Sequence, residues 1–280
     1  MQLKNGEVHY LTKEEKFKTR KEKNLERLKN FCLMDDDFMT ACFENNIKSV
    51  ELVLRIILEE PDLIVTEVKT QYFMKNLQKR SLRLDIFATN SRGKIFNIEI
   101  QRKDEGAGFK RARYHSSLLD AKVLNAGENF ENLPETYVIF ITESDIFKKG
   151  LPLYHIERCV TETGEIFGDE AHIIYVNGKY RGDTPLGHLM EDFHCTNSED
   201  MYYNELKGSM RYFKETKEGT DKMSTIMEEL RVEGREEGKA ESLLQSVEQI
   251  MKNLSVDLAE ACRILGISLE VYEKAKELCE

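Results

Sequence analysis

Arg83-Leu84-Asp85-Ile86-Phe87-Ala88-Thr89-Asn90, then Ser91-Arg92-Gly93-Lys94, then Ile95-Phe96-Asn97-Ile98-Glu99-Ile100-Gln101 is the stretch on which the fold turns. Polar and apolar residues alternate on both flanks, and Ser91 to Lys94 supply turn chemistry between them, so the pattern predicts a β-hairpin. Period two sends Leu84, Ile86 and Ala88 to one face and Arg83, Asp85 and Phe87 to the other. On the second strand Ile98 and Ile100 point inward, while Asn97, Glu99 and Gln101 share the opposite face. Antiparallel pairing around a four-residue turn then brings Asp85 near Glu99. Two converging carboxylates suit a hard cation such as Mg²⁺, which takes oxygen ligands and keeps waters for a substrate phosphate. The competing reading is a set of solvated polar residues on an amphipathic hairpin.

Around the hairpin, the pattern predicts a mixture of helices and strands. Residues 1–34 read as a charged N-terminal arm with some helix. Asp35, Asp36 and Asp37 suit the exposed N–H groups and positive end of a helix start, a role preferred here to metal binding. The apolar set at 50, 53, 54, 57 and 58 follows helical spacing from Ile47 to Leu58, and Pro61 ends it. Leu63 to Lys69 alternates like a strand. A helix follows the hairpin from about Phe109 to Leu124, with Gly127 just beyond it. Thr136 to Thr142 reads as a buried strand, Tyr154 to Val160 as a weaker one, and Ile173 to Val176 as another. The order α-β-β-β-α-β implies an α/β core with a mixed central sheet flanked by helices. After Pro185 the character turns helical, with one helix from Asp200 to Lys214.

The domains expected from this reading are the arm at 1–34, a core domain at 35–214, a charged helical arm at 215–254 and a small helical hairpin at 255–280. Gly234 and Gly238 weaken the third segment as a helix, each by about 1 kcal/mol relative to Ala. This α-helical C-terminal appendage is the expected contact for a second copy or a protein partner. Leu265-Gly266-Ile267-Ser268 is similar to the turn of a helix-turn-helix, but the segment is acidic and has no basic recognition helix.

Composition narrows the function classes. With 40% hydrophobic and 33% charged residues, the chain can form a core and is expected to be soluble. The longest apolar run, Val50 to Leu58, contains Glu51 and Arg55 and is far too short for a membrane span. The N-terminus has no apolar secretory stretch, so the expected compartment is the cytoplasm. Six cysteines show no CxxC and no zinc spacing with the scattered histidines, which predicts reduced, mostly buried thiols. A net charge of −10 argues against a protein that coats nucleic acid non-specifically. Two stretches are nevertheless basic. Thr12 to Asn30 carries eight Lys/Arg against four Glu, and Gln101 to Lys122 carries six against three acids. The second directly follows the Glu99 strand, which makes Lys110, Arg111 and Arg113 the phosphate-facing candidates.

Asp85, a turn, and Glu99-Ile100-Gln101 resemble the core of the PD-(D/E)XK nuclease superfamily. More closely, the chain resembles the bacterial recombination-promoting nuclease group, often labelled PD-(D/E)XK nuclease family transposase. Met34-Asp35-Asp36-Asp37-Phe38-Met39 is similar to that group's opening segment, and Val50 to Leu58 to its first core helix. Gly106-Ala107 with Lys110-Arg111-Ala112-Arg113-Tyr114 is similar to the segment after the catalytic strand, and Tyr137 to Glu143 and Ile173 to Gly178 to later strands. The likeness runs collinearly from Met34 to Lys214.

The resemblance implies a restriction-endonuclease-like fold and metal-dependent DNA endonuclease activity connected with recombination or mobile elements. It implies Asp85, Glu99 and the Ile100 carbonyl as ligands of Mg²⁺, with Mn²⁺ able to substitute. Gln101 stands where relatives usually carry Lys; it can orient a water or a scissile oxygen but brings no charge. Glu51 matches the accessory acid of the first core helix, with Glu44 and a plain surface role for Glu51 as competing readings. Arg111 and Tyr114 match the family's Arg and aromatic positions, Arg111 either clamping a phosphate or pairing with Glu99. Two other functions compete: a nuclease scaffold that grips DNA or protein with little or no cutting, and a regulatory or toxin-like component whose helical tail docks a partner.

Overall fold

The computed structural model describes residues 2–4, 7–9, 13–74, 81–102, 104–125 and 127–279. Lys103 of the second basic stretch, and residues 1, 5, 6 and 10–12 of the N-terminal arm, lie outside the described residues. A short antiparallel pair, β1 (Gln2–Lys4) and β2 (Glu7–His9), precedes α1 (Lys13–Leu28). Leu28, Cys32, Leu33 and Met34 are buried, so the end of the expected N-terminal arm belongs to the packed body. Then come α2 (Asp36–Phe43), α3 (Ile47–Leu58), β3 (Val65–Met74), β4 (Leu82–Asn90), β5 (Ile95–Gln101) and α4 (Phe109–Val123). The elements β6 (Thr136–Thr142), β7 (Leu153–Ile156), β8 (Ala171–Asn177), α5 (Pro185–His194) and α6 (Asn204–Glu215) complete the core. Finally α7 (Lys217–Leu254) leads to α8 (Leu258–Leu265) and α9 (Leu269–Cys279).

Six strands form one sheet in the order β3-β4-β5-β6-β8-β7. The β3–β4–β5 run is antiparallel, β5–β6 and β6–β8 are parallel, and β7 returns antiparallel on β8. The sheet is therefore mixed, with α4 as the crossover that lets β6 lie parallel to β5. Every residue of β6 is buried, and so is β5 up to Ile100. Both faces of the central strands are thus covered, as in a parallel α/β sheet. Helix α4 packs on β6 and β8, and α2, α3, α5 and α6 pack together as the second layer. This is a restriction-endonuclease-like α/β fold with C-terminal helices.

The hairpin turn is built by Asn90, whose side-chain oxygen accepts the backbone N–H groups of Arg92 and Lys94. Gly93, at φ +80°, closes it in the left-handed region that only glycine enters freely. Helix α3 matches its expected span and is capped by Asn46, which accepts from the Ser49 N–H at 3.2 Å. The sequence reading left α5 undivided from the helical region after Pro185. Its signal is local: Thr184 caps it by accepting the Gly187 N–H, and Pro185 fills the first turn. The weaker strand is shorter than expected, ending at Ile156 instead of Val160, and β3 runs on to Met74.

The chain separates into two compact units, Met1–Met223 and Ser224–Glu280, with the boundary inside α7. That helix is continuous through Gly234 and Gly238. In the second unit Val247, Ala261 and Cys262 form a small core with flanking Leu258, Ile267 and Tyr272. Asp257 caps α8 by accepting the Glu260 N–H, and Gly266 ends it at φ +70°. All six cysteines are free thiols, with Cys32, Cys42 and Cys262 buried. Among the described residues no helix is long and apolar enough to cross a membrane.

Candidate active site

Strands β4 and β5 pair regularly from Thr89↔Ile95 to Ile86↔Ile98, and there the backbone ladder stops. Side chains continue the connection. Asp85 Oδ2 accepts the Ile100 N–H at 2.8 Å, and Glu99 Oε1 accepts the Asp85 N–H at 3.4 Å. The two strands fork at this point, and the two carboxylates sit in the fork. Period two places them on the same sheet face, as the pattern predicts. That face is not solvated, however: Arg111 and His115 of α4 reach over Glu99, which is wholly buried, and Asp85 is half-buried. The reading of a polar hairpin face open to water is corrected by this burial.

The parallel ladder on the other side of β5 fixes the backbone orientation. The Gln101 carbonyl accepts the Glu143 N–H at 3.0 Å, so alternation turns the N–H and C=O of Ile100 towards β4 and the fork. Its carbonyl is thereby directed to the side of the two carboxylates.

Both acids are held above the ordinary carboxylate range. Burial is the main cause for Asp85, and the charge of Asp36 adds to it against the opposing Ile100 N–H, Arg111 and Arg83. For Glu99 burial again leads, followed by the negative charge of Asp85, with Arg111, the Asp85 N–H and the Asn97 side chain opposing. Two buried like charges with partial compensation are what a hard cation relieves. Among the described residues no three His, Cys, Asp or Glu side chains are arranged to hold a metal ion. Two carboxylates and a backbone oxygen are what the fork offers, an all-oxygen set that fits a divalent cation of the Mg²⁺ kind.

The remaining expected residues divide. Arg111 reaches Glu99 Oε2 from Nη2 at 3.1 Å, with its side chain 41% exposed. Of its two expected roles, the structure displays the pairing with Glu99. Gln101 is half-buried and lies across Gly106, where an added Cβ would collide with its Oε1 and stand 2.9 Å from its Cδ. Lys110 and Arg113 are exposed, and Tyr114 packs at the edge of the core under α4. Arg113 lies about 200° round the helix from Arg111, so it points away from Glu99.

Glu51 does not join the site. Its carboxylate accepts the Val65 N–H at 2.9 Å and pairs with Arg55 at 2.7 Å. Val65 is the partner of Asn90, five residues along β4 from Asp85, which is roughly 17 Å away at strand spacing. Glu51 ties α3 to the first residue of β3 and is a structural carboxylate. Glu44, its rival, pairs with Lys222 at 3.4 Å on the surface.

The acid that does act on Asp85 is Asp36, from the first turn of α2. Its neighbour Asp35 is committed to structure, accepting the Cys32 N–H at 2.9 Å and pairing with Arg102. Sequence reasoning preferred a helix start to metal binding for the three aspartates and gave them no place in the site. It also passed over Asn97 and His115, which lie against Glu99; their spacing, two before Glu99 on a strand and four after Arg111 on a helix, was the available signal. An apolar cavity of about 820 Å³, lined by residues including Ile57, Pro61, Leu153 and Leu186, contains none of these side chains.

Comparison with known proteins adds one finding. Residues 42–180 match the family model described as PD-(D/E)XK nuclease family transposase. The matched segment contains Asp85, Glu99, Gln101 and Arg111 and excludes Asp36 and the C-terminal unit. No curated protein and no solved structure matches the chain.

Proposed function

Since the chain belongs, through residues 42–180, to the PD-(D/E)XK nuclease family transposases, we propose that it is a metal-dependent DNA endonuclease connected with recombination or mobile elements. The observation that carries the reading is the fork, where the end of the β4–β5 ladder brings two carboxylates together, Asp85 raised by burial and the charge of Asp36, Glu99 by burial and the charge of Asp85. Carboxylates kept in that condition mark functional sites more often than structural ones.

Asp85, Glu99 and the carbonyl of Ile100 would hold the cation, Mg²⁺ or Mn²⁺. Bound there, it supplies Lewis-acid polarisation of a phosphoryl oxygen and of an attacking water. The protein's own groups do the rest. Arg111 steers Glu99 through one edge of its guanidinium, and its exposed edge is open to a phosphate oxygen. Gln101 presents a neutral carboxamide beside the fork, able to orient a water or a scissile oxygen by donating and accepting hydrogen bonds. Burial of the site keeps these dipoles fixed, so little reorganisation is needed as charge develops on the phosphate. Lys110 and Tyr114 flank Arg111 on the DNA side, while Arg113 contributes long-range attraction. The enzyme would act in the cytoplasm, with residues 35–214 as the catalytic domain and the C-terminal helices as the contact for a second copy or a partner.

The test is incubation of purified protein with supercoiled plasmid in Mg²⁺, Mn²⁺, Ca²⁺ or EDTA, with Asp85→Asn alongside. Nicking or linearisation in Mg²⁺ or Mn²⁺ that is lost in EDTA and in Asp85→Asn supports the reading. Cleavage that survives in Asp85→Asn removes it.

A further inference from the structure

The proposed chemistry leaves one buried histidine unused. His115 is fully enclosed, its ring against Phe140 at 5.8 Å between centroids, and its two nitrogens face different partners. Nε2 lies 3.2 Å from Arg111 Nε, while Nδ1 lies 3.5 Å from Glu99 Oε1 and 3.0 Å from Asn97 Nδ2. A guanidinium has only N–H donors, so Nε2 must be the acceptor. A neutral imidazole whose Nε2 accepts carries its proton on Nδ1. Asn97 Nδ2 is also a donor, so its approach to Nδ1 is that of two donors side by side. The acceptor they share is the Glu99 carboxylate, to which the Asn97 side chain also hydrogen-bonds. Turning the Asn97 amide over, so that its partnerless Oδ1 meets His115, still requires the proton on Nδ1.

We propose that His115 is a positioning residue: fixed in its Nδ1–H form by Arg111, it donates to Glu99 and keeps that carboxylate turned to Asp85 for a divalent cation. This rests on the reading of Asp85 and Glu99 as cation ligands. Glu99 then stands at the focus of Arg111, Asn97, His115 and the Asp85 N–H, which orients a group that would otherwise swing away from a like charge. The 3.5 Å separation is at the long limit for a hydrogen bond. Groups of this kind behind a metal-binding carboxylate change metal affinity about 10- to 100-fold when removed.

Two measurements decide it. In the wild-type protein, long-range ¹H–¹⁵N correlation spectra should show His115 with its proton on Nδ1, and a proton on Nε2 overturns the proposal. Calorimetric titration with Mn²⁺ alone should then find His115→Phe weakened about 10- to 100-fold, and His115→Asn, whose amide N–H reaches the place of Nδ1–H, within a few-fold of wild type. Circular dichroism and thermal melts establish that both variants are folded; where His115→Phe is not, the wild-type spectrum decides. Wild-type Mn²⁺ affinity in folded His115→Phe, or equal loss in both variants, overturns the proposal. Glu99→Gln separates the two levels of the argument. If it loses Mn²⁺ while His115→Phe keeps it, only the role of His115 fails. If the wild type takes up no Mn²⁺, or Glu99→Gln binds as the wild type does, the ligand assignment fails and the role of His115 with it.

Discussion

The two ends of the β4–β5 hairpin carry carboxylates in opposite conditions. At the turn end Glu51, Glu60 and Glu135 each have a cationic partner. Glu51 has Arg55 and the Val65 N–H, Glu60 has Lys94 at 3.2 Å, and Glu135 has Lys94 at 3.1 Å together with the Tyr137 hydroxyl. Burial alone would raise Glu135, yet Tyr137 and Lys94 outweigh it and hold it below the usual range. At the forked end Asp85 and Glu99 are raised, and Arg111, the cation on Glu99, is also tied to His115. Among the described residues, cations answer the acids at one end and leave two raised carboxylates at the other. That asymmetry separates structure from function more sharply than residue type does, since both ends use the same acids.

Substitutions across the hairpin should break this comparison if it is wrong. The largest effect is on turnover. Asp85→Asn or Glu99→Gln should reduce plasmid cleavage about 10³-fold or more, the scale of several kcal/mol of lost charge stabilisation. In EDTA their melting temperatures should not fall, because each removes one of two repelling charges. Glu51→Ala should do the reverse: cleavage by the folded fraction unchanged, and stability reduced by about 1–3 kcal/mol, as the buried Val65 N–H loses its acceptor. Equal activity losses at both ends would erase the distinction.

The next effect is on stability against pH. A carboxyl raised in the folded state binds its proton more tightly than in the unfolded chain. Its contribution is therefore present in full below the free carboxylate range, near pH 4, and is lost as pH rises through the raised value. Metal-free protein should thus lose melting temperature between about pH 4 and the raised values of Asp85 and Glu99, and saturating Mn²⁺ should flatten that loss. A melting temperature in EDTA that rises over this range would contradict it. Glu135, held low, contributes in the opposite sense, its share being lost only as pH falls.

Much of this architecture was legible because strand alternation and helical stripes report directly on burial. The Asp85–Glu99 juxtaposition followed from turn length and period two, and α3 and β6 followed from their apolar spacing. Glu51 was misread for a physical reason. A helical stripe says which face of α3 is buried, but not along which end of the sheet that face will lie. Asp36 was hidden by the opposite problem, since aspartates at a helix start already have a sufficient local explanation. Asn97 shares a strand face with Glu99 by period two, but His115 could be placed near Glu99 only after α4 was known to pack on β6.

Smaller effects sharpen the picture of the forked end. Gly106→Ala should displace the end of the Gln101 side chain, a flexible group, so the fold should survive while turnover falls about tenfold. Mn²⁺ affinity should change little, and Gly106→Ala should add nothing to Gln101→Ala. Unaltered turnover in Gly106→Ala would make Gln101 a bystander. The mildest effect concerns DNA binding. Lys110 and the exposed edge of Arg111 are the contacts next to the fork, predicting a log–log salt slope of roughly −2 for duplex binding. Neutralising both should flatten it, and a slope several-fold steeper would place the DNA surface elsewhere.

The end of the β4–β5 ladder has a kinetic side. The Ile100 amide is protected by a side chain, Asp85, whereas the Ile98 and Phe96 amides lie within the paired strands. Its hydrogen–deuterium exchange should therefore quicken in Asp85→Ala while those of Ile98 and Phe96 stay slow. A single backbone proton becomes a clock for the state of the fork, readable with no nucleic acid in the tube.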